Sequence, residues 1–285
     1  MKHLNQYITE YIVKKKLDKP IDSEDNYKYY PQTKEELIEN IKKLLDKGET
    51  DLNCIDTSNI TDMSNLFKSL DISTTIDVSK WNVSNVTNMS NMFYNCEKIN
   101  FDLSNWDVSN VINMSGMFDC CKNINFDLNK WDVSNVEDMG HMFYACRNLD
   151  YDLSNWDVSK VKDMKYMFYN CENFTGKGLE NWNVSKVEDM QDMFKSCEKF
   201  TGKVLENWDV SNVLNMEYMF RECKKFNCDL SGWDVSKVKD ISGMFSWCIK
   251  FNCDLSKWNI SNVKNMDRMF YNCYSLKNKP SWYKE

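Results

Sequence analysis

The chain has 285 residues, 42% of them hydrophobic and 28% charged, with 8 Gly, 3 Pro and a net charge of −7. This is a globular composition long enough for one or two domains, and its acidity repels phosphate backbones and anionic lipid, which speaks against nucleic-acid binding. No signal-peptide core, lipid-anchor cysteine or run of 18 apolar residues occurs, so the expectation is no membrane insertion and a cytoplasmic protein by default, with the cell surface, another export route or a virion as alternatives.

The first element is a short leader. In LNQYITEYIVKK, Leu4, Tyr7, Ile8, Tyr11 and Ile12 fall at helical spacing, which predicts a helix within residues 1–20. Residues 21–49 begin as a linker bordered by Pro20 and Pro31 and end in a well-marked helix. Thr33 and Glu36 make a capping box, Leu37, Ile41, Leu44 and Leu45 the apolar stripe, and Gly48 the stop. This helix is expected to cap the rest of the chain, while residues 1–20 are open to a second role as a docking leader.

From residue 50 the chain is one unit written many times. Trp81, Trp106, Trp131, Trp156, Trp182, Trp208, Trp233 and Trp258 are spaced by 25 or 26 residues, and a degenerate copy, IDTSNITDMSNLF, puts Ile55 in the tryptophan position. The longer copies absorb their extra residue at FTGKGLENW and FTGKVLENW, which marks a loop. In the copy WDVSNVEDMGHMFYAC, Met139, Met142, Phe143 and Cys146 fall at i, i+3, i+4 and i+7, the stripe of a two-turn helix with Asp138 as its N-cap. The alternation in DLSNWDV predicts a short strand before it. A unit this small cannot bury its own stripe, so the expected fold over residues 50–285 is a leucine-rich-repeat-like solenoid of about nine α/β coils, each one short strand and one short helix. Pro280 and Trp282 are expected to close it in a C-terminal cap from about residue 274.

The template LSNWDVSNVxxMxxMFxxC resembles the repeat of the BspA-like leucine-rich-repeat surface proteins over about residues 50–280. That resemblance implies a solenoid, roles in surface display, adhesion or protein binding, and no catalytic residues to carry over. The leader resembles those that precede repeat proteins of gut bacteriophages, which implies a possible phage protein.

Chemistry-bearing residues are scarce outside the repeat. Cys96, Cys121, Cys146, Cys171, Cys197, Cys223, Cys248 and Cys273 share one column, one helical turn past a core Phe, where a free buried thiol acts as a small hydrophobe. Histidine is limited to His3 and His141, the latter expected to face solvent, which leaves no material for a His-based triad or zinc site. Asp102, Asp127 and Asp152 share a column able to gather calcium, with Asx turns as the simpler account. No catalytic residue, metal site or cofactor is expected.

Two columns vary where the rest are fixed. One holds Asn91, Gly116, His141, Tyr166, Asp192, Tyr218, Gly243 and Arg268; the other, just after the repeat Phe, holds Tyr94, Asp119, Tyr144, Tyr169, Lys195, Arg221, Ser246 and Tyr271. Freed from packing, they are expected to be exposed, and Tyr and Arg are favoured interface anchors. The candidate binding strip is Tyr94, Tyr144, Tyr166, Tyr169, Tyr218, Arg221 and Tyr271, with Trp247 beside it. The function expected is a non-enzymatic, monomeric binding or adhesion solenoid for a protein or glycan partner. The alternative is a structural or accessory component of a larger assembly, docked through residues 1–20.

Overall fold

A computed structural model describes residues 27–68, 76–96, 102–122, 124 and 126–284; the leader expected within residues 1–20 lies outside them. Helix α1, Lys34–Leu45, starts where the capping box placed it. Thr33 Oγ1 accepts the Glu36 N–H at 3.2 Å, and the Glu36 carboxylate reaches back to the Gln32 N–H at 2.6 Å. Leu37, Ile41 and Leu44 are buried, Leu45 only partly, and Gly48 takes φ +77 just past the end. The helix lies on the first repeat, where Lys34 Nζ binds the Asp62 carboxylate at 3.1 Å and Ser64 Oγ at 2.6 Å.

From residue 50 on the structure differs from the expected coil. No α-helix forms over Met139–Cys146, and His141 and Ala145 sit at φ +59 and +55. Met142, Tyr144 and Cys146 each donate to the carbonyl three residues back, closing consecutive turns. The N–H groups between them leave the repeat: Met139, His141, Phe143 and Ala145 donate to Asp163, Lys165, Met167 and Tyr169 of the next copy, at 2.7–3.0 Å. A helix would spend every N–H on itself. A left-handed residue every fourth position instead flips alternate peptides toward the neighbouring repeat, as the third residue of a type II turn does. Three-residue turns also return side chains to one face at i, i+3, i+4 and i+7, which is why the apolar spacing imitates a helix.

The expected strand is likewise absent among the described residues. Pairing is reduced to single parallel bridges: Tyr29↔Ile55 and Asp51↔Asp77 near the start, then the Asp/Asn column from Asp62↔Asn88 through Asp138↔Asp163 to Asp240↔Asn265. Asp138 is no helix cap: its Oδ1 accepts the Gly140 N–H two residues on, at 2.9 Å. Asp102, Asp127 and Asp152 make the same Asx turn with Ser104, Asn129 and Ser154. Both longer copies carry a single 3-10 turn, Leu179–Asn181 and Lys203–Leu205, and one also forms at Leu128–Lys130 in a 25-residue copy. The Leu179–Asn181 turn begins after Gly178 at φ +93, where a Cβ would strike the Leu153–Ser154 backbone.

Ladders run through the interior. Consecutive repeat phenylalanines, from Phe67 to Phe270, stack at 5.3–6.0 Å between ring centroids. Each repeat tryptophan from Trp81 to Trp258 is buried and donates its Nε1–H to a carbonyl one repeat back, as Trp156 does to Leu128 at 2.9 Å. Trp282 continues that column, bonding Leu255 at 3.0 Å and stacking on Trp258, while Tyr283 meets Phe270 edge-on. The cysteines do more than fill space. Cys171 Sγ lies 3.0 Å from the Phe143 carbonyl, and the same contact recurs from Cys121 to Cys273. All twelve cysteines are free, and burial pushes the Cys96 and Cys273 thiols up to about 12, so they stay protonated donors.

Candidate binding face

Both variable columns run along one side of the stacked repeats. Every residue of the first is left-handed, including His141, Tyr166, Tyr218 and Arg268 at φ +53 to +59. The second lies directly after the Phe ladder. The repeat spacing brings neighbouring copies of one column close enough for their side chains to meet.

The expectation of simple exposure holds for part of the strip. Trp247 and Tyr271 are 40% and 53% exposed and meet edge-on at 6.1 Å. Tyr94, Tyr144, Tyr166, Tyr169, Tyr218 and Arg221 are half-buried: Tyr144, Tyr166 and Tyr169 use one another's rings as neighbours, while Tyr94 and Tyr218 are covered by cationic side chains. Asp119, Asp192 and Ser246 in the same columns are buried outright.

Four rings form a cluster. Tyr144 stacks on Tyr169 at 4.5 Å and 5°, His141 stacks on Tyr166 at 4.6 Å and 21°, and the two pairs lean together at 5.7–6.3 Å. His141, expected to face solvent, is therefore a half-buried member of the cluster, and burial pushes its imidazole pKa down. Burial also pushes the Tyr144 and Tyr166 hydroxyls up to about 12, with the Tyr169 and Asp192 side chains adding to it. At neutral pH the Tyr144 and Tyr166 hydroxyls are protonated and the His141 ring is neutral.

Charged neighbours extend it. Lys195 Nζ lies 5.0 Å from the Tyr169 ring and 5.2 Å from that of Tyr218, and pairs with Asp192 at 2.8 Å. The Arg221 guanidinium covers Tyr218 at 5.3 Å. Tyr218 lies over Gly243, where the missing side chain leaves it room. Tyr94 stands apart, two repeats from Tyr144, with Lys68 over its ring at 4.3 Å. Sequence reasoning missed His141, Lys195 and Lys68 as members. The signal for His141 and Lys195 was position in the variable columns, and for Lys68 its place just after Phe67 of the degenerate copy, neither of which says which rings touch.

Comparison with known families matches this repeat. The family model described as Mycoplasma protein of unknown function, DUF285, matches residues 35–122, 61–178 and 162–283. The chain belongs to this family. The three overlapping stretches of this DUF285 protein take in the tryptophan repeats, both variable columns and most of α1. No curated protein and no solved structure matches the chain. No helix among the described residues is long and apolar enough to cross a membrane.

Proposed function

We propose that this DUF285 chain is a non-enzymatic binding solenoid that docks a protein partner along its two variable columns, as a monomer. The carrying observation is the state of the aromatic rings. Tyr144, Tyr166, Tyr169 and His141 cover one another's faces, and Lys195 and Arg221 cover those of Tyr169 and Tyr218. Over these rings a partner meets ring edge and hydroxyl among fixed charges, while Trp247 and Tyr271 keep exposed ring surface at the end of the strip. A sugar packs against an open aromatic face, whereas a protein surface uses such rigid, preorganised Tyr and Arg side chains as anchors. The resemblance to BspA-like surface proteins supports adhesion as the setting.

The test uses the full chain and a variant carrying Tyr144→Ser, Tyr166→Ser, Tyr169→Ser and Tyr218→Ser as baits for host-cell lysates and surface extracts. A protein captured by the wild type, and lost by a variant that still melts cooperatively, supports this face. Retention of the same protein by the variant removes the function from it.

A further inference from the structure

The two ends of the repeat stack are closed differently. At the N-terminal end α1 lies on the first repeat, with Lys34 bound to Asp62 and Ser64, and Met63, Ser64, Leu66 and Phe67 are buried. At the C-terminal end the tail after Cys273 covers the core only. Trp282 stacks on Trp258 and Tyr283 packs edge-on against Phe270.

The backbone beside that core stays open. In the preceding repeat Ile241 and Gly243 donate to Asn265 and Asp267 at 2.9 and 2.8 Å, and the Lys239 carbonyl accepts from Lys264 at 2.7 Å. The equivalent groups of the last repeat are the Met266 and Arg268 N–H and the Lys264 carbonyl. None of the three has a hydrogen-bond partner among the described residues. Lys264, Asp267 and Arg268 are exposed, and Asp267 and Arg268 line a cavity of about 310 Å³ together with Phe270, Tyr271 and Tyr283. Unpaired groups in this alternation are a template for one more strand.

Charge selects the occupant. Over residues 264–285 the chain carries Lys264, Arg268, Lys277, Lys279 and Lys284 against Asp267 and Glu285, on a molecule of net charge −7. A second copy fits poorly. Its own C-terminal edge would set donors against donors, and the first repeat that would continue the ladder lies under α1. We infer that the C-terminal edge binds an acidic, extended peptide segment, added as a parallel strand. Its carbonyls accept from Met266 and Arg268, its N–H gives to the Lys264 carbonyl, and its carboxylates face Arg268 and the neighbouring lysines. The site takes in Arg268 and Tyr271, the last members of the two variable columns, and lies apart from the tyrosine face formed by Tyr144, Tyr166, Tyr169 and Tyr218.

The probe is a capped peptide of alternating Val and Glu, titrated to millimolar concentration into the isotopically labelled full chain, with a Val–Lys peptide as control. The Met266 and Arg268 amide signals are expected to shift, and to exchange more slowly with solvent, with the Glu peptide only. Lys264→Glu with Arg268→Glu keeps both N–H groups yet weakens binding roughly tenfold, the sum of two surface charge contacts. Met266→Pro removes one N–H and weakens it independently. The four-serine variant of the tyrosine face binds the peptide as the wild type does. Equal response to both peptides, shifts confined to the tyrosine face, or concentration-dependent dimerisation that protects the same amides would overturn the assignment.

Discussion

Position 189 puts a carboxylate into the bridge column that Asn88, Asn113, Asn215 and Asn265 fill with a neutral amide. The task there is to accept the N–H two residues on. Asn88 does so for Ser90 at 3.0 Å and Asp189 for Gln191 at 2.9 Å. The charge is surplus to that task. Burial, with Asp163 alongside, holds the Asp189 carboxyl above its usual range, and the same causes act on Asp138. A carboxyl whose pKa is raised by folding binds its proton more tightly folded than unfolded. Its cost is therefore present at neutral pH and is relieved as pH falls through the folded value. Asp189→Asn is expected to raise the melting temperature at pH 7, with the gain disappearing below about pH 4, where both forms of the acid are protonated. Melts of the two proteins at both pH values check this. An Asn variant that melts lower at pH 7 would mean that Lys165, which pulls the other way, decides the balance.

The element is a run of turns closed by a tryptophan. Trp156 is 3% exposed, stacks on Trp182 at 6.3 Å and 3°, and satisfies the Leu128 carbonyl. Trp156→Ala removes ring, stack and donor together and should cost about 3–5 kcal/mol in denaturant unfolding; an unchanged midpoint would place the tryptophans outside the core. The columns of Trp, Val, Met, Phe and Cys were legible in the sequence because each repeat meets the same environment and so needs the same residue. The conformation was not, since one helix and a chain of three-residue turns share their apolar spacing. A clue stood in Asn91, Gly116, Asp192 and Gly243, residue types that tolerate a left-handed backbone. It was masked by His141, Tyr166, Tyr218 and Arg268 in the same column at the same φ. A second aromatic ladder was also unread: Phe174, Phe200, Phe226 and Phe251, each 4.1–4.4 Å from a repeat Phe, begins only midway along the chain. At the candidate face the variable columns were legible as positions. The ring pairs were not, because stacking is set between repeats and no single copy contains it.

For the whole molecule, the proposed solenoid makes stability a sum over neighbouring repeats, because the alternate N–H groups, the Phe stack and the Trp donors all reach one repeat away. Registry then matters more than length. Removing residues 131–155, one full period from Trp131 to Asn155, brings the Trp156 copy onto the Trp106 copy with every column still aligned. Removing 131–142 sets the Met and Phe ladders against unlike residues and leaves the alternate N–H groups without carbonyls opposite. The first deletion is expected to keep a single cooperative melt at a lower temperature, and the second to lose it. Equal damage from both would mean that the repeats are not held by a periodic ladder, and the solenoid would fall with it. The full-period deletion also takes out His141 and Tyr144, leaving Tyr166 and Tyr169 without their stacking partners. A folded shortened chain that no longer captures the partner would therefore separate the two uses of one repeat: its interior carries the stack, and its two free columns carry the recognition.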